Sequence, residues 1–235
     1  MSPRTTPENR IPDIVRAAFR VFSTKGYRKT RMEEIAVEAG VSKGTLYYYF
    51  TSKAQLLHYL LENGIVREGD DIPSTEESSG VSEWDIIEYL GQRLRSSMKM
   101  EIVESILSYR DKGNIDIEKE LKDIVGEMWD MIEKNRIMII LVEQSQADIP
   151  GLAKLFNIWG RGMMIDMFEE YLKSRTELSA IRPLSFPALI SRMLVETVNW
   201  FGLNEYRHGD ADSIPRDDLV NDLASLLARG LRPDQ

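Results

Sequence analysis

The chain has 235 residues, 43% of them hydrophobic, enough to bury a sizeable core, and its formal net charge is −8. It holds no cysteine and only two histidines, His58 and His208, which excludes disulfides, thiolate metal sites and cysteine nucleophiles, speaks against a His-based metal cluster and leaves carboxylate chemistry open; no metal or cofactor is expected. No apolar run reaches membrane-spanning length and the N-terminus lacks the apolar stretch of a signal peptide, so a cytoplasmic protein with no membrane partner is expected.

Taken in chain order, nearly every segment reads as helix. Ile14, Ala18, Val21 and Phe22 recur at helical spacing; Pro12 suits the first turn, and Gly26 can end the helix in a left-handed conformation. A second helix is predicted to start at Thr30, whose hydroxyl caps it while Glu33 reaches back to complete a capping box. It carries Ile35, Ala36 and Ala39 inward and stops at Gly40. Ser42 caps a short third helix, Lys43 to about Tyr49, with Val41 and Leu46 as a hydrophobic staple. Ser52 and Gln55 form another capping box, opening a fourth helix through Leu56, Leu57, Leu60 and Leu61. The polar stretch 67–82 reads as a joint. Beyond it, helical patterns run over about 83–110, 116–134, 136–147, 151–174, 184–207 and 216–229. The apolar run 137–142 has the composition of a buried strand, but its setting favours a buried helix.

Charge divides along the chain. Residues 1–61 carry 10 Lys and Arg against 5 Asp and Glu, a net +5, which leaves −13 for the rest. That is the distribution expected of a DNA-binding head on a body that must not bind DNA indiscriminately. A helix, a tight turn at Gly40 and a short capped helix make the pattern of a helix-turn-helix, whose second helix lies in the major groove.

Residues 10–61 resemble the DNA-binding head of the TetR family. The resemblance rests on Ile14-Val15-x-Ala17-Ala18 with Phe22 and Gly26-Tyr27, then Met32-Glu33-Glu34-Ile35-Ala36, then Gly40-Val41-Ser42-Lys43-Gly44-Thr45-Leu46-Tyr47-Tyr48-Tyr49-Phe50, and finally Ser52-Lys53 with Leu56-Leu57. It implies an all-α fold, with a three-helix DNA-binding head over residues 1–61 and a helical ligand-binding and dimerisation body over 62–235. Leu46 and Phe50 are expected to pack on Ile35, Ala39 and Phe22. Gly44 lets the helix backbone approach a duplex closely. Lys43 can reach guanine N7 and O6 or a phosphate, and Thr45 can offer its hydroxyl to phosphate and its methyl to thymine. Tyr47, Tyr48 and Tyr49 cover different faces of one turn, so at least two are expected to face DNA, with Tyr48 the one that could belong to the head's own packing. Ser42 and Lys53 begin helices whose free N–H groups favour phosphate, and Thr30 and Arg31 hold the same place on the second helix. The resemblance implies DNA contacts at positions matching these. Arg4, Arg10, Arg28 and Lys29 can extend the contact electrostatically, although solvated charge is the default for each.

The body carries no comparable motif. All four tryptophans (84, 129, 159, 200) and nine of the eleven methionines lie beyond residue 83. Leu152, Leu155, Phe156, Trp159, Met163, Met167 and Tyr171 form a helical stripe that ordinary packing would explain. Methionine also repacks easily around bulky apolar molecules, which makes Trp129, Met138, Trp159, Met163, Met167 and Trp200 candidate ligand contacts. Leu219, Leu223, Leu226 and Leu227 on the last helix, with Leu189 and Met193 on the one before, read as a dimer seam, and the resemblance implies a four-helix bundle there. The expected function is that of a homodimeric, ligand-responsive repressor, released from a palindromic double-stranded operator by a small hydrophobic ligand. Two alternatives stand beside it. One is a helix-turn-helix activator or nucleoid-associated protein without a ligand. The other, weaker, is an all-helical enzyme using Glu118 and Glu120 or Glu169 and Glu170, whose spacings do not bring the paired acids to one face.

Overall fold

A computed structural model describes residues 10–65, 80–97, 99–108, 115–208 and 214–233. It contains α1 (Ile11–Lys29), α2 (Met32–Glu38), α3 (Lys43–Tyr49), α4 (Lys53–Asn63), α5 (Glu83–Ser97), α6 (Glu101–Ser108), α7 (Ile117–Ser145) and α8 (Pro150–Leu155). A π-helical turn (Phe156–Gly160), α9 (Arg161–Glu177), α10 (Pro187–His208) and α11 (Arg216–Leu231) follow. No strand occurs among the described residues, as the all-α reading expects. Most of the joint read at 67–82 lies outside the described residues. The chain packs as two compact units, residues 1–93 with 137–155, and residues 94–136 with 156–235.

The first unit contains the head. Its core is Ile14, Val15, Ala18 and Phe22 of α1, Ile35 of α2, Leu46 and Phe50 around α3, and Leu56, Leu57, Tyr59 and Leu60 of α4, all essentially inaccessible to solvent. The ring of Phe50 meets that of Tyr59 edge-on at 5.3 Å, and burial pushes the Tyr59 phenol up to about 12. The run 137–142 is the end of α7, with Met138 to Val142 all buried. A helix segment that is apolar on every side has to be enclosed on every side.

Where the sequence expects a break near residue 135, α7 continues. Asn135 is buried and donates its amide to the Met131 carbonyl at 2.8 Å, which spends inside the helix a group that otherwise competes with it. Conversely, the single pattern read over 83–110 is two helices. The start of α6 is held by Glu127, which accepts from the Ile102 N–H at 2.9 Å and whose carboxyl burial raises in pKa.

In the second unit the π-helical turn inserts an extra residue ahead of α9. The buried side of α9 therefore falls on Met164, Ile165, Phe168, Tyr171 and Leu172. Met163 and Met167, placed inward by an uninterrupted helical period, are only half-buried. Arg175 is buried behind them. Its Nε and a terminal nitrogen grip the two oxygens of Glu120 at 2.8 and 3.0 Å, and the same nitrogen donates to the Ile106 carbonyl at 3.2 Å. The Tyr171 hydroxyl donates to Glu120 at 3.1 Å. Helices α6, α7 and α9 are tied by one network that commits Glu120, one of the acids weighed for catalysis, to structure. Replacing Arg175 with Met leaves that carboxylate without its partner and should lower stability by about 3 kcal/mol in denaturant titration.

Candidate nucleic-acid interface

The site begins where α1 meets the residues after α7. At Gly26 the backbone turns to φ 76° and ψ 173°, a conformation reserved for glycine, so the first helical run stops there and the chain kinks into the short helical stretch that finishes α1. A Cβ at Gly26 would lie 2.7 Å from the Gln144 carbonyl oxygen and 3.0 Å from Asp148 Oδ2. The kink frees the Arg28 N–H, which donates to Asp148 Oδ2 at 2.7 Å, while the Arg28 guanidinium donates to the Asp148 carbonyl at 3.2 Å. Sequence reading missed this link, because a contact spanning 120 residues leaves no local pattern.

The second helix starts one residue later than expected. Arg31 holds the cap position, and its N–H donates to Glu34 Oε2 at 3.1 Å, so the returning acid is Glu34 and not Glu33. Thr30 is withdrawn from the surface. It is 2% exposed, and its hydroxyl donates to the Gly26 carbonyl at 2.6 Å, so the hydroxyl expected to cap α2 is engaged inside the head. Arg31 stays exposed. Gly40 takes φ 65° and the Val41 N–H returns to the Ala36 carbonyl at 3.0 Å, which closes α2 and aims the chain into α3.

Ser42 caps α3 as read, accepting from the Thr45 N–H at 3.0 Å, with the two hydroxyls 2.8 Å apart. Leu46 and Phe50 point inward with no exposure, and Ser42, Lys43 and Gly44 lie on the exposed side with Thr45 partly covered. The tyrosine that joins the packing is Tyr49, 8% exposed, while Tyr48 is 77% exposed and Tyr47 38%. Tyr49 is therefore removed from the outward set and Tyr48 restored to it. A Cβ at Gly44 would meet nothing closer than Ser42 Oγ at 3.7 Å, so the fold itself does not require glycine there.

Lys53 opens α4 as read, and its side chain is engaged within the head. Its ammonium donates to the carbonyls of Arg28 at 3.2 Å and Thr30 at 3.0 Å and sits 4.4 Å above the Tyr27 ring. Desolvation lowers its pKa. The side chain closes the end of α1, leaving the start of α4 to offer backbone N–H groups. Ser52 caps that helix by accepting from the Gln55 N–H at 3.0 Å, and the Gln55 side chain accepts from the Thr51 N–H at 2.7 Å.

Most other head cations are paired: Arg20 with Glu38 at 2.8 Å, Lys25 with Glu34 at 2.8 Å, Lys43 with Glu33 at 2.6 Å, and Arg10 and Arg16 with Asp13 at 3.1 and 2.6 Å. Its hydrogen bond to Lys43 holds Glu33 below the usual carboxylate range, and the same bond raises Lys43.

The body residues separate into several settings. Met138 is buried in the first unit. In the second, Trp129 and Trp159 are half-buried, Trp159 beneath the Arg95 guanidinium at 5.5 Å. Trp200 is 54% exposed. A cleft of about 600 Å³ in this unit is lined by charged groups, among them Lys99, Lys122, Asp130 and Arg216, together with apolar Ile102, Met131 and Val220, and by none of the six candidate ligand contacts. Leu189, Met193 and Leu226 are more than half exposed, Leu223 and Leu227 partly so, and Leu219 is buried.

Residues 14–60 match the family profile described as bacterial regulatory proteins, tetR family. The chain is 37% identical over 68 residues to the HTH-type transcriptional regulator YfiR of Bacillus subtilis (strain 168), a match covering 28% of this chain and 33% of that one. It is 39% identical over 66 residues to the HTH-type transcriptional regulator HbdR of Aromatoleum sp. (strain CIB), covering 28% and 29%. Both matches thus span about a third of the relatives' length or less. Over nearly the whole chain, 93% of it and 98% of the other, the fold is similar to the crystal structure of the TetR family transcriptional regulator PfmR from Thermus thermophilus, at 19% identity and a TM-score of 0.51. No described helix is long and apolar enough to cross a membrane.

Two substitutions test the construction of the head. Gly26→Ala imposes both a disallowed backbone angle and an overlap with the Gln144 carbonyl, and should cost at least about 2 kcal/mol in chemical denaturation. Phe50→Ala should cost about 3 to 5 kcal/mol, whereas Tyr48→Ala should stay within about 0.5 kcal/mol of the parent.

Proposed function

We propose that this chain, whose N-terminal head belongs to the TetR family of bacterial regulatory proteins, is a sequence-specific DNA-binding transcriptional regulator that acts as a homodimer. The observation that carries the reading is the outward face of α3. Ser42, Lys43, Gly44, Tyr47 and Tyr48 are exposed together on a helix whose other side is locked into the core by Leu46, Tyr49 and Phe50. Lys43 supplies donors for guanine or phosphate, the tyrosine phenols supply hydrogen bonds and flat apolar surface, and Gly44 leaves the backbone bare where a groove wall would pass.

The dimer is supported by α10. Leu189, Met193 and Trp200 are each more than half exposed, and at about 100° per residue they fall within roughly 40° of one another around the helix axis. Leu226 of α11 is 68% exposed. An apolar stripe of this kind costs solubility unless covered, and a second copy covers it with a two-fold operation. Two heads so related can read half-sites about 34 to 36 Å apart.

Repression relieved by a small apolar ligand is the finer reading. It is supported by the methionines and half-buried tryptophans of the second unit and, within the first, by the anchoring of α1 to Gln144 and Asp148. A ligand that favours another arrangement of the body by about 1 to 3 kcal/mol would weaken DNA binding about 5- to 150-fold. Titrating fatty acyl, aromatic and cationic amphiphiles with and without operator tests it, since linkage requires DNA to weaken the ligand by the same factor. If nothing binds, a regulator without ligand is the better description.

Two variants check the rest. Gly44→Ala should keep or raise the unfolding temperature, a helical alanine gaining up to about 1 kcal/mol over glycine, yet lose operator binding by more than about tenfold, roughly 1.4 kcal/mol. The double change Leu189→Glu with Met193→Glu should sediment as a folded monomer; a surviving dimer would place the seam elsewhere.

A further inference from the structure

Lys43 opens the reading helix and is the cation best placed to enter a groove, yet it is already engaged. Its Nζ lies 2.6 Å from Glu33 Oε1, across the turn between α2 and α3, and 5.6 Å from the centre of the Tyr47 ring. Both partners are well exposed, at 61% and 54%, so nothing in the packing of the head forces them together. Glu33 belongs to the first turn of α2, and the returning cap of that helix is Glu34, which leaves Glu33 free of the capping role.

An ammonium has three N–H donors. With one given to Glu33, two remain, enough to meet guanine N7 and O6 from the position in which Glu33 holds the group. A phosphate at an arbitrary register offers no such fit. It meets the two remaining donors less well, and gains most from Lys43 by drawing it away from the carboxylate. Non-specific binding takes nearly all of its energy from phosphates, whereas specific binding adds base edges. An acid beside the reading lysine therefore acts more heavily against the wrong sequence than against the right one.

We propose that Glu33 is a specificity-determining residue: it positions Lys43 for base contact and competes with phosphate for it, suppressing non-specific DNA binding. This rests on the reading of α3 as the recognition helix. The test uses the full-length protein and two duplexes of roughly 30 base pairs, long enough to hold two half-sites, one selected by the wild-type protein from a random pool and one unrelated. Anisotropy titrations run from about 50 to about 200 mM salt. Glu33→Gln keeps shape and removes the charge. It should tighten binding to the unrelated duplex by about three- to fivefold, steepen its salt slope by about 0.9, and shift the selected duplex less, so that the ratio of affinities falls. Glu38→Gln, which removes a charge from the same helix but pairs with Arg20, should do none of this. The gain should disappear in a Lys43→Ala background, as a double-mutant cycle requires.

The proposal is overturned if Glu33→Gln matches Glu38→Gln on both duplexes, if it weakens both alike, or if the gain persists without Lys43. Failure of the underlying reading looks different. If the wild-type protein enriches no duplex, or Lys43→Ala binds the selected one as well as wild type, α3 is not the reading helix and the role of Glu33 falls with it.

Discussion

The backbone of Gly26 passes so close to the Gln144 carbonyl that no side chain fits between them, and the geometry of the head depends on that approach. Glycine alone tolerates the φ of 76° that the kink needs. The kink turns the Arg28 N–H toward Asp148, leaves the Gly26 carbonyl for the Thr30 hydroxyl, and exposes the Arg28 and Thr30 carbonyls to the Lys53 ammonium. Three segments, the end of α1, the start of α4 and residues 144–148, thus share one knot of polar contacts. A shift at residues 144–148 cannot be absorbed by a soft side chain, because the contact is backbone to backbone. It has to move α1, and with α1 the helices that pack on it.

The head's electrostatics are shaped by pairing more than by net charge. Its sequence carries a net +5, but Arg20, Lys25 and Lys43 face acids of α2, and Arg28 and Lys53 are spent on Asp148 and on carbonyls. Exposed pairs of this kind are worth about 0 to 1 kcal/mol each, so they cost the fold little to break. Under the role proposed for Glu33, they set the terms on which DNA can have the cations. Each lysine that must leave a carboxylate to reach a phosphate contributes less than a free one, and the penalty is largest where the phosphate fits worst.

What the sequence revealed follows the range of the interactions. Signals contained within one helical turn were legible: Ser42 and Ser52 as caps, Gly40 as the turn, Leu46 and Phe50 as core. The errors arose where a second partner outbid the local one. Thr30 has the chemistry of a cap, but a carbonyl released by the kink at Gly26 takes its hydroxyl, and the cap passes to Arg31. Lys53 keeps its place at the start of α4, while its side chain is drawn to the end of α1 by carbonyls that no local pattern announces. The exchange of Tyr48 and Tyr49 turns on where the core stands around α3, which three identical residues in a row cannot announce. In the body, one added residue in a π-helical turn rotated the buried side from Met163 and Met167 to Met164 and Phe168. Pairing of Arg175 with Glu120 spans 55 residues and has no sequence period at all.

A feature that costs stability and serves nothing inside the chain points to something outside it. The Arg175 network is closed, with carboxylate, guanidinium, phenol and carbonyl all meeting within one unit, and it asks for no further molecule. Gly44 is the opposite case. A glycine in a helix costs up to about 1 kcal/mol relative to alanine, its backbone angle is ordinary, and no neighbour would collide with a methyl group there. The exposed stripe of Leu189, Met193 and Trp200 has the same character, for it leaves apolar surface in water with no internal return. One feature removes bulk from a polar, exposed helix and the other adds bulk to a surface. The first suits close approach by a large, rigid, charged partner, and the second suits burial against a like surface. Their occurrence at opposite ends of one chain is what the proposed DNA-reading dimer would use.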